Sequence, residues 1–512
     1  MPSLEDLISR GYFPRELPPP FTSSVFGLFL ASNYSSLPSP FRHQNTPGKM
    51  LSHNLVRSGS LRRRLGVPNP VHFYQLASFV IDNWHELHRT ALRSNLSLTA
   101  PVDGTLGRAI ERQYSLTARP IRRAQLRSTS RYILLADISR FYPSIYTHSI
   151  PWAMHTKSVA KADRSNRLIG NNLDRLVRNA QDAQTLGIPI GPDTSLLIAE
   201  IILGAIDVEL SQRAIVNGFR YIDDYEFGFL TLSEAEESLA IFQEVLNAYE
   251  LALNPNKTKI IKLPMPTDSL AISELRSFGF RASIAGQQSD ILRYFDRAFV
   301  LSNESPEEGI LKYAISRLSG EDFHLSNWDL LENLLCQCFM AEPGAISFVL
   351  NQILRYIELG CNIDRDRVHH ALDRTICQHA PLGHGSEVAW ALWSHLALTM
   401  PISAQSVRVG IDMNDSIVAL LLLDANVKRL LPDDSDLTAL EAVMSQEDLY
   451  GEHWLLSYEA NVKGWLPSAD GVDHVAADTC FSLLKRNGVH FYDDSLSESL
   501  VYEPPAGWIE RY

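Results

Sequence analysis

The chain has 512 residues and a net charge of −13, with 45% apolar and 21% charged residues. That is the balance of an ordinary globular protein, long enough for two to four domains and more than one large core. Its longest pure apolar run, Ile417 to Leu423, is far too short to span a bilayer.

Met1 to Gly11 carries Glu5 and Asp6 and lacks a basic region followed by an apolar one, so no secretory signal is expected. Cys336, Cys338, Cys361, Cys377 and Cys480 are scattered. The Cys336-x-Cys338 pair has no second ligand pair at zinc-finger spacing, which predicts buried thiols in a reducing, cytoplasmic setting without membrane contact. The charge is unevenly spread. Residues 1–131 hold 17 basic and 7 acidic side chains, a net of +10 that leaves −23 for the rest. The basic residues there are arginines except Lys49, which suits bidentate phosphate contacts.

In chain order, the first forty residues contain Pro18-Pro19-Pro20 and several serines, which predicts an extended arm packed on a neighbouring surface. Arg62-Arg63-Arg64 follows, and then an amphipathic helix over Val71 to Leu92. From Thr99 to Arg131 short polar stretches carrying Arg119, Arg122, Arg123 and Arg127 read as β-hairpin material presenting guanidinium groups. Arg62, Arg63, Arg64, Arg122 and Arg123 are the candidate contacts to a triphosphate or a nucleic-acid backbone.

Tyr132 to Asp137 is an apolar run ending in a carboxylate, the pattern of a buried central strand with Asp137 at its tip. Helical spacing covers Asp163 to Gln181. Gly187-Ile188-Pro189-Ile190-Gly191-Pro192 is a turn-rich loop, after which Asp193, Thr194 or Ser195 can cap a helix running from Leu196 to Gln212. That helix is apolar nearly all round and should be buried. Phe219 to Phe227 reads as a β-hairpin with Asp223-Asp224 at its turn. A helix from Ser233 to Leu251, a strand at Ile260-Ile261 and an apolar run from Leu275 to Phe280 come next.

Beyond about Ser289 apolar residues recur at three- and four-residue spacing, as in Trp328, Leu331, Leu334, Leu335 and Phe339. Breaks at Glu342-Pro343-Gly344, Gly360, Pro381-Leu382-Gly383 and Pro432 divide these into antiparallel helices, and their lengths suggest a stacked, repeat-like domain. The predicted fold is α+β in three parts: 1–131 an N-terminal arm and fingers-like region, 132–288 a palm, and 289–512 an all-α, helical-repeat-like C-terminal domain.

Adjacent carboxylates between apolar arms repel each other, and a fold tolerates them mainly where a cation neutralises them. Asp137 at a strand end and Asp223 in a hairpin turn can meet if their strands are neighbours. Divalent cations such as Mg²⁺, or Mn²⁺ in its place, take oxygen ligands of this kind. A pair about 3.5–4 Å apart would clamp the attacking and leaving oxygens of a phosphoryl displacement. Asp224 completes the catalytic set, or faces away in support.

From Asp137 to Phe280 the sequence resembles the reverse transcriptases in order. Asp137-Ile138-Ser139-Arg140-Phe141-Tyr142 is similar to their first palm motif, Gly187 to Ser195 to the second, Tyr221 to Asp224 to the third, Leu253 to Lys259 to the fourth, and Ser277 to Phe280 to the primer grip. The resemblance implies metal ligation by Asp137, the Ile138 carbonyl and Asp223. It further implies nucleotide binding by Tyr142, Gly191 and Lys257. Tyr142 would be a steric gate that selects deoxynucleotides, and Lys257 an acid toward pyrophosphate. Ile190 stands where the family has glutamine and Leu196 where it has proline, which speaks against ordinary templated copying. No thumb or ribonuclease H signature follows Phe280.

These departures, the proline-rich arm and the string Tyr146 to Ala153 resemble the bacterial abortive-infection and defence-associated reverse transcriptases. That branch implies antiphage DNA synthesis from dNTPs, in a homo-oligomer, with two modes open: protein-primed and template-independent, or templated on a partner noncoding RNA. Tyr12, Tyr34 and Tyr512 are the candidate protein primers. His148 and Trp152 are expected to pack at a helix start. A non-catalytic nucleic-acid sensor is the reading of another class, and its signature would be loss of a metal carboxylate.

Overall fold

The computed structural model describes residues 1–33, 36–56, 62–105, 107–468 and 471–498. Its strands are β1 (Leu51–Val56), β2 (Arg62–Val67), β3 (Pro101–Asp103), β4 (Ile110–Arg112), β5 (Tyr132–Asp137), β6 (Gly218–Tyr221), β7 (Asp224–Phe229) and β8 (Lys259–Lys262). The pairs β1–β2 and β3–β4 form separate hairpins, and the other four make one antiparallel sheet in the order β6-β7-β5-β8. The apolar run from Tyr132 therefore occupies a central position. The helix Leu232–Ala248, opened by a capping box between Thr231 and Glu234, packs on β5 and β7. Its Phe242 ring lies 4.7 Å from Tyr225 and 5.8 Å from Phe227.

Among the described residues every regular element after β8 is helical. The helix Gly385–Ala397 is buried along its whole length, between Arg365–His379, Ser416–Val427 and strand β1. Contact with β1 is one of the places where the C-terminal helices close onto the N-terminal region. No described helix is long and apolar enough to cross a membrane.

Several local expectations are corrected. The N-terminal arm is partly helical, with Leu4–Ser9 started by a Ser3/Asp6 capping box and Ser24–Asn33 following the prolines. Residues 71–92 form two helices, Pro70–Asp82 and Trp84–Ala91, separated at Asn83. The arginines 119, 122, 123 and 127 sit on the helix Ala118–Arg127, and only β3–β4 upstream is a hairpin. Asp193 opens the helix Asp193–Gln212 without capping it; its carboxylate instead accepts from Arg108 Nε at 2.6 Å and from the Ile110 N–H at 2.9 Å.

The arm does pack on a neighbour, and the neighbour is the C-terminal region. Tyr12 stacks 4.1 Å from Phe73, and Phe13 stacks 5.9 Å from Phe491. Trp454 Nε1 donates to the Val67 carbonyl and Trp390 Nε1 to that of Glu16. Each such buried ring contributes roughly 1.5–3 kcal/mol, so the two ends of the chain share one aromatic core.

Candidate active site

In the palm sheet Asp137 and Asp224 are direct cross-strand partners in the β5–β7 register. Directly opposed residues project from the same face with Cβ atoms about 4.5–5.5 Å apart. Asp224 therefore shares Asp137's face, the first of the two placements expected for it. Tyr221 pairs with Asp224 to close the β6–β7 hairpin, leaving Ile222-Asp223 as a two-residue loop. Ile222 has φ 56°, a left-handed conformation at the first loop position, as in a type II′ turn. Glycine is the usual occupant there, and a β-branched residue stores about 1–3 kcal/mol of strain.

That strain is held by a buried network. The Ile222 N–H donates to Thr99 Oγ1 at 3.1 Å, and Thr99 donates to Glu200 Oε1 at 2.6 Å. Arg220, fully buried in β6, grips both Glu200 oxygens at 2.8 Å and Asp207 Oδ2 at 2.6 Å. Tyr225 Oη donates to Asp207 at 2.9 Å. Sequence reasoning passed over Thr99, Glu200, Asp207 and Arg220. The usable signal was Glu200 and Asp207 set among the apolar residues of a helix, beside an arginine in an apolar strand, since buried charges must pair.

The carboxylates are electrostatically loaded. Asp223 is pushed up to about 6, first by burial and then by repulsion from Asp224. Burial also raises Asp224, while Arg119 draws it down. Lys257 Nζ lies 2.7 Å from Asp137 Oδ2, and Asn254 Nδ2 donates to Oδ1 at 2.9 Å. Arg119 Nη1 reaches Asp224 Oδ2 at 3.4 Å and its guanidinium lies over the Tyr221 ring. Asn254 and Arg119 are further residues not singled out from sequence for this site. The Ile138 N–H donates to the Asp223 carbonyl at 3.1 Å, tying the residue after Asp137 to the turn. All of these line one large cleft of about 2110 Å³, walled by the palm, the β1–β2 hairpin and the C-terminal helices.

Other expected site residues fall into two groups. Tyr142 and Gly191 line the same cleft. Burial raises the Tyr142 phenol, the Arg112 charge opposes that rise and the Asp223 charge adds to it. Gly191 has φ 137°, a Cβ there would meet Pro14 Cγ at 2.5 Å, and its carbonyl accepts from Arg108 at 2.6 Å. Its glycine is thus demanded by backbone and arm packing.

Several arginines are otherwise engaged. Arg123 donates to buried Glu226 at 2.6 Å, and Arg119 and Arg127 flank the same carboxylate. Arg123 thus pins its helix to β7. Arg122 is exposed and lies over the ring of Tyr114, a residue of the cleft lining to which Arg122 itself does not belong. Arg62 forms a bidentate pair with Glu387 at 2.5 and 2.8 Å, and it lines the cleft together with Arg63 and Arg64.

Of the tyrosines considered as primers, Tyr12 is fully buried and its hydroxyl donates to the Pro68 carbonyl, which corrects its placement in a mobile segment. Tyr34 and Tyr512 lie outside the described residues. His148 bonds Asp174 at 2.8 Å before the helix Ser149–His155, and Lys157 covers the Trp152 ring at 4.0 Å.

The donor set suits a hard divalent cation: Asp137, Asp223 and Asp224 bring carboxylate oxygens to the cleft lining, and burial together with the Asp224 charge disfavours an ionised Asp223 that no cation neutralises.

Residues 87–309 match the family described as "Reverse transcriptase (RNA-dependent DNA polymerase)". None of the curated proteins compared matches the chain. Among solved structures, apo telomerase from Candida tropicalis is similar over 80% of this chain and 71% of its own, at 12% identity and a TM-score of 0.31. The three aspartates, Tyr142, Gly191 and Lys257 all fall inside the matched segment. The chain carries a reverse transcriptase domain and is a nucleotidyltransferase of the RNA-directed DNA polymerase class.

Proposed function

We propose that this protein is a Mg²⁺-dependent DNA polymerase that acts in bacterial antiphage defence, in the cytoplasm and as a homo-oligomer. The observation that carries the polymerase reading is the opposition of Asp137 and Asp224 across β5–β7 with Asp223 in the adjoining turn. Mg²⁺, or Mn²⁺ in its place, would be held by these carboxylates and the Ile138 carbonyl, and would supply charge neutralisation at the phosphates. The defence assignment rests on the sequence resemblance to the abortive-infection branch.

The chain's own groups divide the remaining work. Lys257, 2.7 Å from Asp137, is within reach of a nucleotide's phosphates and supports charge balance or proton donation there. Tyr142 beside Asp223 supports selection against a ribose 2′-hydroxyl by steric clash. Arg63 and Arg64, which line the same cleft, support attraction of polyanions.

The purified full-length protein, given Mg²⁺ and labelled dNTPs alone, tests the mode of synthesis. DNA that stays with the polypeptide through phenol extraction supports self-priming, from Tyr34 or Tyr512 since Tyr12 is buried. Product formed only with added or co-purified RNA supports templating on a noncoding RNA. Asp223→Ala is expected to abolish both synthesis and protection against phage while the fold persists. Protection retained by that variant would favour a nucleic-acid sensor instead.

A further inference from the structure

At Glu387, which lines the cleft, a second group of ligating side chains converges. His379 ends the helix Arg365–His379, His384 immediately precedes Gly385–Ala397, and Glu387 lies in that helix's first turn. The tight connection between them, with Gly383 at φ 66°, brings one nitrogen of each histidine and one Glu387 oxygen within 4.8 Å of each other. His379 Nδ1 and His384 Nδ1 are 2.9 Å apart, and they lie 3.9 and 3.6 Å from Glu387 Oε1.

At 2.9 Å two bare imidazole nitrogens repel, so either one carries a proton toward the other or both direct lone pairs at a shared cation. Glu387 is held for the second role. Arg62 fixes both its oxygens and Ser386 Oγ donates to Oε2 at 2.7 Å, orienting the carboxylate while Oε1 keeps a lone pair toward the histidines. Burial, aided by Arg62, holds both histidines below their usual pKa, in the neutral form that binds metals.

We propose that His379, His384 and Glu387 form a second cation site, distinct from the aspartate centre and selective for a borderline ion such as Zn²⁺. Two imidazoles and one carboxylate match the ligand types that zinc takes in four-coordinate sites with one open position. Hard Mg²⁺ is poorly served by nitrogen donors. Through Glu387 and Arg62 such an ion would clasp the C-terminal helix pair to strand β2, next to Arg63 and Arg64 on the cleft wall. This inference does not depend on the polymerase reading.

The test uses untagged full-length protein with Asp223→Asn in the background, so that the aspartate centre contributes less metal binding. Co²⁺ added as the spectroscopic stand-in for Zn²⁺ should give one bound ion per chain, with the intense visible bands of a low-coordinate site. Zn²⁺ should displace it, and Mg²⁺ in excess should not. His384→Ala and, separately, His379→Gln should weaken binding by at least about 10–100-fold, the loss that even outer partners of a metal cause. X-ray absorption at the zinc edge of the unmutated protein should show imidazole scattering. Absence of the bands, bands unchanged in both histidine variants, or a zinc edge without imidazole would each overturn the proposal and leave a histidine–histidine hydrogen bond in its place.

Discussion

Replacing Asp223 by asparagine should stabilise the metal-free palm while abolishing catalysis. Burial and the neighbouring Asp224 raise Asp223 from 3.8 to about 6. In an unfolded chain the group titrates near its ordinary value. Between about pH 4 and pH 6 the folded state therefore holds more protons than the unfolded one, and stability falls as pH rises through that window. Above it the whole penalty is in force. Roughly two pKa units at about 1.4 kcal/mol each make it on the order of 3 kcal/mol at neutral pH.

A carboxamide at this position has no charge to desolvate, so Asp223→Asn should gain about 1–3 kcal/mol in chelator at about pH 7.5. The gain should shrink toward about pH 4, where the unmutated carboxyl is itself protonated in the folded state. Millimolar Mg²⁺ should stabilise the unmutated protein markedly more than the variant, by mass action on the folded state. A chain of this length does not unfold in one step, so the readout is amide hydrogen exchange across β5 and β7, which reports local opening. A variant no more protected than the unmutated protein in chelator at neutral pH would refute the reasoning, because the carboxylates would then not be straining the sheet.

Thr99→Val keeps side-chain shape but removes the hydroxyl between the Ile222 N–H and Glu200. It should cost about 2–4 kcal/mol and lower dNTP incorporation by about 100-fold as the turn relaxes, with Thr99→Ser restoring both. Unaltered incorporation would dissociate the network from the turn. Gly191→Ala places a methyl against Pro14 at a φ that L-residues avoid, and should lower stability by about 2–3 kcal/mol; thermal melting checks this. Tyr142→Val should raise ribonucleotide incorporation relative to deoxynucleotide incorporation, measured as competing kcat/KM ratios. An unchanged ratio would remove the ring from the gate.

Much of the palm was legible from local pattern. An apolar run closed by Asp137, and an aromatic hairpin closed by Asp223-Asp224, each announce a strand end carrying carboxylates, and their order along the chain implies one sheet. The helices around it follow from periodicity and capping residues, as at Thr231 and Glu234. Where the local reading failed, the cause lay in contacts between residues far apart in sequence. Arg123, which lines the cleft, also grips Glu226, and nothing near it in sequence reveals that this carboxylate lies under its helix. Asp193 looked like a helix cap because its partner, Arg108, is 85 residues away.

By itself the amino-acid order determined the palm strands Tyr132–Asp137 and Asp224–Phe229, the helices packed around them and which acids end those strands, because periodicity, capping and turn chemistry act over a few residues. Only the tertiary structure decided that Asp224 faces Asp137, that Arg220 and Thr99 hold Ile222 in a strained turn, and that Tyr12 is sealed between the two ends of the chain. Burial of a charge or a ring is set by what packs against it, and for these residues the packing partners lie tens to hundreds of positions away.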